Sequence, residues 1–391
     1  MKAHKEKRQT KKQKKQKRDQ YREANIAPVR FIVNPELESQ RAHKERLKGI
    51  DDSRIRHIVE VAESKVDINI CNAMTNTIKL DFDYADIASH NDGAVPPAKS
   101  QSHPKDLELP PLSSNHARTL LESEAGAAIE DRSGNLLAIR IPNVFSPIHE
   151  EILNAGREFN RNFKFDKKKS RNHFVPSLDL FQKGQVHYGY WHQQGHYEIS
   201  PQISTDSKEK EHNHPFQKKC EPLYHILNMY TERIAPSLAK QSDQVWEQIR
   251  KHRDHEGFLS EIKSHFFGQT VHFNADIRRH KDRRSAWCGF DAIAVFGEYE
   301  GGNLHFRELG CSFPSHPGDL FFIRGAGLYH EARSGDQEAG GWVGKGRMVF
   351  AFFSDRRVFA HEHIPRPKDL GAIYGTQGQK KFREHHPHLD R

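Results

Sequence analysis

His280 and Asp282 are spaced to present an imidazole and a carboxylate to one side of a strand, since side chains at i and i+2 share a face. Alone, the pattern says little. The 391-residue chain has 27 His and repeats His-x-Asp at His90/Asp92, His252/Asp254 and His388/Asp390. Those three are set aside: His90 adjoins a proline-rich stretch, His252 lies in a polar, helix-like segment, and almost no chain follows His388. His280/Asp282 heads a β-rich block. Two His and one carboxylate on one face, with coordination positions left open, form the donor set that suits a non-haem Fe(II) oxygenase. The third ligand must come from a later strand. Pro317-Gly318-Asp319 turns the chain, an apolar strand follows, and His330 opens the next one. Arg347 then begins Arg-Met-Val-Phe-Ala-Phe-Phe, where a fixed cation in an apolar setting can pair bidentately with a carboxylate. Taken singly, His330 reads as a core histidine, Arg347 as a strand-end cation and Gly301-Gly302 as a tight turn; only their joint order distinguishes them.

The elements that must position these residues are short strands broken by glycine, expected at 269–273, 288–296, 303–309, 319–324, 329–332 and 347–354. No helix-length segment separates them, which predicts a barrel or jelly roll rather than βαβ units. Upstream, two apolar runs flank Asp131-Arg132-Ser133-Gly134 and predict a hairpin. Ser146-Pro147 is expected to start a helix with the serine oxygen as cap, and Leu223, Ile226, Leu227, Tyr230 and Ile234 predict a second helix over 221–234. If His280 and Asp282 face inward, strand parity puts Arg278 and Arg284 beside them, while Arg279, Lys281 and Arg283 face away.

The order His280-x-Asp282, Tyr299-Glu300-Gly301-Gly302-Asn303-Leu304, Pro317-Gly318-Asp319, His330, Arg347 resembles the core of 2-oxoglutarate- and Fe(II)-dependent oxygenases. Within them it looks most like the Tet-like (TET/JBP-type) branch common in fungi. The motifs cover about 268–356, with similar N-terminal support from about residue 120. The resemblance implies an α+β fold, a double-stranded β-helix (jelly-roll) core with supporting helices, to which the charge pattern adds a disordered basic N-terminal tail. It also implies an active dioxygenase whose catalytic residues His280, Asp282 and His330 hold Fe(II). 2-Oxoglutarate would chelate the iron through its C1 carboxylate and keto oxygen, Arg347 would bind its C5 carboxylate, and dioxygen would take the last position. The implied substrate is a methylated base, 5-methylcytosine above all, in nucleic acid. Two departures stand out. Arg347 stands seventeen positions after His330, more than the roughly ten common in the family, which leaves Lys345 as an alternative carboxylate partner on the same strand face. Ser285 stands where an Asn or Asp often lies near the base. Arg278, Arg284 and Ser285 are thus the candidate substrate-binding residues. Protein prolyl or lysyl hydroxylation on the same fold and a catalytically inactive nucleic-acid-binding relic remain as alternatives.

Charge is concentrated at one end. Residues 1–20 hold ten Lys and Arg against Glu6 and Asp19, a surplus of eight within a formal total of +9, so the body is nearly neutral. Such a block self-repels and buries nothing, which predicts a disordered arm that attracts nucleic acid or directs nuclear import. The expected organisation is a basic tail over 1–29, an unassigned region over 30–91, a Pro-rich linker over 92–115, a dioxygenase domain over 116–370 and a polar tail over 371–391. Cys71, Cys220, Cys288 and Cys311 give neither a CxxC pair nor a disulfide framework, so a reducing compartment, nuclear or otherwise cytoplasmic, is expected. Neither a secretory signal nor a membrane span is expected, since no apolar run approaches ~20 residues.

Overall fold

The computed structural model describes residues 50, 52–84, 123–165, 173–174, 180–191, 202–203, 210–251, 264–286, 288–306, 309, 311–332, 342–364 and 366–367. The basic tail, the Pro-rich linker, the C-terminal tail and the three discarded His-x-Asp pairs lie outside these residues. In chain order come α1 (Ser53–Glu63), α2 (Val66–Thr75), β1 (Thr77–Lys79), β2 (Ala127–Glu130), β3 (Leu136–Ile141), α3 (His149–Asn162), β4 (His173–Phe174), β5 (Gly184–Trp191), β6 (Gln202–Ile203), α4 (Lys210–Lys219), α5 (Glu221–Ile234) and α6 (Pro236–Ile249). The strand-rich half follows: β7 (Gly268–Phe273), β8 (Ala275–His280), β9 (Asp291–Gly301), β10 (Leu304–Phe306), β11 (Cys311–Phe313), β12 (Leu320–Ile323), β13 (His330–Ala332) and β14 (Trp342–Phe353), then α7 (Arg356–His361).

Strands β7 to β14 pair as nested antiparallel partners, β7 with β14, β8 with β13, β9 with β12 and β10 with β11. The first and last strands of the run are therefore neighbours. The run divides between two sheets, ordered β1-β2-β3-β12-β9-β14-β7-β5-β6 and β11-β10-β13-β8-β4. This nested, two-sheet winding is a double-stranded β-helix, and with its helices the molecule is α+β. The β2–β3 hairpin turns at Gly134, with φ +81°, and extends the larger sheet past β12.

Strand alternation gives the larger sheet two buried faces, one apolar and one mixed. Met348, Phe350 and Phe352 of β14 point to the helices, where Phe216 of α4 stacks between Phe159 of α3, at 4.6 Å, and Phe350, at 6.1 Å. Arg347, Val349, Ala351 and Phe353 point the other way, into the space between the sheets. Segment 53–84, expected only as a region without a role, shares this core: Ile55, Val59 and Ile70 join the cluster that holds Leu223 and Tyr230, and Asn69 Nδ2 donates to Tyr230 Oη at 2.8 Å.

Two local expectations are corrected. Ser146-Pro147 opens a single 3₁₀ turn rather than the helix; Ser146 caps nothing, and α3 begins at His149 with Glu150 and Glu151 at its positive end. The final strand begins at Trp342 rather than Arg347, because β14 continues past a bulge between Gly344 and Gly346. The Pro317-Gly318-Asp319 turn is tied to the hairpin from below. Arg140 Nε donates to Asp319 Oδ2 at 2.8 Å with both side chains buried, and the backbone N–H of Asn143 and His316 complete the carboxylate's shell. All four cysteines are free thiols, and no described helix is long and apolar enough to cross a membrane.

Candidate active site

His280 ends β8 and His330 begins β13, and the two are direct register partners with ring centroids 4.3 Å apart. Asp282 lies two residues beyond His280, where its N–H donates to the Gly325 carbonyl at 2.8 Å. That bond turns the carboxylate back toward both rings: Oδ1 is 3.5 Å from His280 Nε2 and Oδ2 is 3.3 Å from His330 Nε2. The three ligating atoms lie within 4.8 Å of one another.

Each imidazole is oriented from behind. His280 Nδ1 lies 2.8 Å from the Arg278 carbonyl and His330 Nδ1 lies 3.1 Å from the Leu328 carbonyl. A carbonyl only accepts, so both Nδ1 atoms carry hydrogen, leaving the Nε2 atoms to face Asp282. Burial alone would raise the Asp282 carboxyl, but its bonds to the two imidazoles outweigh that and hold it well below the usual range. Burial would likewise lower His280, and the Asp282 pair outweighs it, leaving the imidazole more basic than usual. Two imidazoles and one ionised carboxylate aimed at a common point fit a divalent first-row metal such as Fe(II).

The triad forms part of the wall of a cavity of about 460 Å³ between the sheets. Arg347 lines the same cavity and is only 4 % exposed. Its Nη2 reaches the Gly302 carbonyl at 3.4 Å, whereas Nε and Nη1 are buried without partners. A buried guanidinium in that state is costly unless an anion completes it, and a ligand carboxylate fits. The side chain stands 5.3 Å from the Tyr299 ring, whose hydroxyl lies 3.2 Å from Ser315 Oγ. Asn274, at φ +49° between β7 and β8, fixes the backbone: its Oδ1 accepts from Arg347 N at 2.9 Å and its Nδ2 donates to the Phe181 carbonyl.

Lys345 is not on the Arg347 face. It is the extra residue of the β14 bulge, so the two-residue spacing fails to keep parity, and its exposed ammonium pairs with Glu298 at 2.7 Å outside the cavity. A similar irregularity corrects Arg278. His330 opposes His280 but Ala332 opposes Ile277, so β8 carries one residue more than its partner, and Ile277 rather than Arg278 shares the cavity with His280. Arg278 is exposed. Arg284 lies within a turn closed by the Ser285 N–H on the Asp282 carbonyl, which ends strand parity there, and it is half-buried beside α7. Ser285 is buried, bridged to Asp355 and turned toward Asp291 rather than lining the cavity.

Sequence reasoning overlooked a polar wall on β5 and β7. Gln185, His187, Thr270 and His272 line the cavity, with His187 Nδ1 2.9 Å from Thr270 Oγ1 and 3.2 Å between the Gln185 and His187 side-chain nitrogens. Burial, then the charges of His187, His280 and Arg347, pushes His272 down to about 3, so it is neutral. The alternation of Gln185-x-His187 and Thr270-x-His272 was the available signal, but only their pairing across β5 and β7 unites them.

Fold and site together define a class: a double-stranded β-helix carrying a two-histidine, one-carboxylate donor set opposite a buried arginine. No family model matches the chain, and no curated protein does. Among solved structures, it is similar to NgTET1 in complex with 5mC DNA, at 12 % identity and TM-score 0.41, covering 60 % of this chain and 78 % of that one. It is also similar to OsALKBH1, at 9 % identity and TM-score 0.29, covering 57 % and 99 %. A third likeness is to an oxidoreductase of the 2OG-Fe(II) oxygenase family from Burkholderia pseudomallei, at 11 % identity and TM-score 0.24, covering 56 % and 84 %. The class assignment rests on the strand topology and the donor set.

Proposed function

We propose that this chain is an Fe(II)- and 2-oxoglutarate-dependent dioxygenase of Tet-like type that oxidises a methylated base, 5-methylcytosine or one like it, in nucleic acid. The observation that carries the reading is one cavity holding both the convergent His280–Asp282–His330 set and the incompletely bonded guanidinium of Arg347. His280 and His330 would bind the metal through Nε2 and Asp282 through its carboxylate. Iron with 2-oxoglutarate and dioxygen supplies oxidation of a C–H bond, with succinate and carbon dioxide as coproducts. Arg347 would hold the C5 carboxylate, and the hydroxyls of Tyr299 and Ser315 lie beside it to receive the second oxygen. The apolar walls, among them Ile293, Val295 and Phe321, exclude water around the reacting carbon. A base in nucleic acid would have to leave its stack to enter, and the polar strip of Gln185, His187 and Thr270 is the surface it would meet. Nucleic acid as the partner is supported by the basic tail, which also suits nuclear import.

Anaerobic titration with Fe(II) and 2-oxoglutarate, followed by mass spectrometry of nucleosides from methylated DNA incubated with the aerobic enzyme, tests the reading. Expected are tight joint binding and an oxidised methylcytosine. The near-neutral body favours a second reading, hydroxylation of Pro or Lys in a protein, and 2-oxoglutarate turnover stimulated by peptide but never by DNA would select it. Failure to bind iron with retained DNA binding would select the inactive relic.

A further inference from the structure

Five of the seven residues from Arg278 to Arg284 are cations, and the two exceptions, His280 and Asp282, turn inward to the ligand set. None of the five cations lines the cavity, and Lys281, Arg283 and Tyr329 lie just past the strand ends that carry His280 and His330. There, Arg279 lies 4.4 Å and Lys281 4.3 Å from the centre of the Tyr329 ring, and Arg283 Nη2 is 3.5 Å from the Tyr329 hydroxyl. Tyr329 immediately precedes the ligand His330. The row extends to α7, where Arg356 N donates to the Arg284 carbonyl at 2.8 Å and both Arg357 and the carboxylate of Asp355 lie near Arg284.

The ring's negative face attracts the cations gathered on it, and a cluster of cations attracts a polyanion. Six of the seven cations are arginines, whose planar forks match phosphate oxygens. With its faces occupied by Arg279 and Lys281, Tyr329 anchors cations and is not an open platform for stacking bases.

We propose that Arg279, Lys281 and Arg283, pinned on Tyr329, form a phosphate-binding collar that lays a nucleic-acid backbone across the mouth of the cavity independently of sequence. This deepens the substrate reading above and rests on it. The collar acts outside the cavity, on residues that strand parity alone assigns to the face turned away from the metal. Its contacts position the strand and carry no base information.

The test measures binding of unmethylated duplex and single-stranded DNA to the full chain across salt concentrations, without iron or 2-oxoglutarate. The triple variant Arg279→Ala/Lys281→Ala/Arg283→Ala is expected to reduce the slope of log K against log salt by about 2 to 3, since each lost phosphate contact removes about 0.7–0.9. The charge-retaining variant Arg279→Lys/Arg283→Lys should keep the slope, and circular dichroism with the unfolding midpoint verifies that each variant folds. An unchanged slope in a folded triple-alanine variant overturns the collar, as does tighter binding of the wild type to a polyglutamate peptide of equal charge, which would select an acidic protein partner. Oxidation of methylated DNA with an unchanged slope sinks the collar alone. A collar-dependent slope without base oxidation sinks the substrate reading alone.

Discussion

At the scale of single residues, the site divides into groups that would touch the metal or cosubstrate and groups that hold them in place. If Arg347 holds the cosubstrate as proposed, Arg347→Ala removes a charge-assisted pair worth about 1.5–3 kcal/mol, so the half-saturating 2-oxoglutarate concentration should rise about 10- to 150-fold while iron affinity changes little. Lys345→Ala, which removes only an exposed pair with Glu298, should leave both values near wild type. The reverse order of effects would give the carboxylate role back to Lys345. Gly325 is a steric requirement: a Cβ there would lie 2.3 Å from Asp291 Oδ2 and 2.7 Å from Asp282 Oδ2. Gly325→Ala should therefore displace Asp282 and weaken iron binding, read by anaerobic titration; undiminished affinity would mean that the carboxylate has room to shift. His280, Asp282, His330 and Arg347 were legible in the sequence because each has a distinctive chemistry and a fixed order along the chain. Asn274, Ser315 and the Gln185–His187 strip were not, since common polar residues gain their roles only through neighbours far away in sequence.

At the scale of elements, the sequence conveyed the apolar alternation of the strands but not their irregularities. The six expected strands all occur, whereas the strand assumed around His280 and Asp282 ends at His280 and so does not carry its parity on to Arg284. A bulge changes the face of every residue on one side of it; glycines flank the one in β14, but none marks the one in β8. That is why parity misplaced both Arg278 and Lys345. The helices show a different kind of restraint. His265, buried just before β7, places Nδ1 2.9 Å from Asp243 of α6 and Nε2 3.1 Å from Glu232 of α5. Burial opposes its charge, but the two carboxylates win and raise the imidazole to about 9, against a usual 6.5. Because the folded value lies above the unfolded one, the stabilisation is complete below about pH 6.5 and is lost as pH rises through about 9. Unfolding midpoints across pH 6 to 10 should fall for the wild type more steeply than for His265→Gln; parallel curves would show that this cluster does not govern alkaline stability.

At the scale of the whole molecule, most of the net charge and the candidate ligands occupy different parts of the chain. Residues 1–20 carry most of the net charge and none of the candidate ligands. Their deletion should leave 2-oxoglutarate consumption in the absence of substrate unchanged while lowering DNA affinity and its salt slope; an unaltered slope would place all phosphate contacts on the body. Inside the body, β8 and β13 are in register at only two positions, His280 with His330 and Ile277 with Ala332. Two of the three donors therefore sit on opposite strands at one of the thinnest seams of the barrel. An ion held by both would act as a rivet through that seam, and the metal-free protein should breathe there first. Hydrogen–deuterium exchange should accordingly slow at amides 276–282 and 328–332 on anaerobic Fe(II) addition and stay constant along β14. Loss of that contrast in Asp282→Ala would tie the protection to the ion, and its persistence would place the rivet elsewhere.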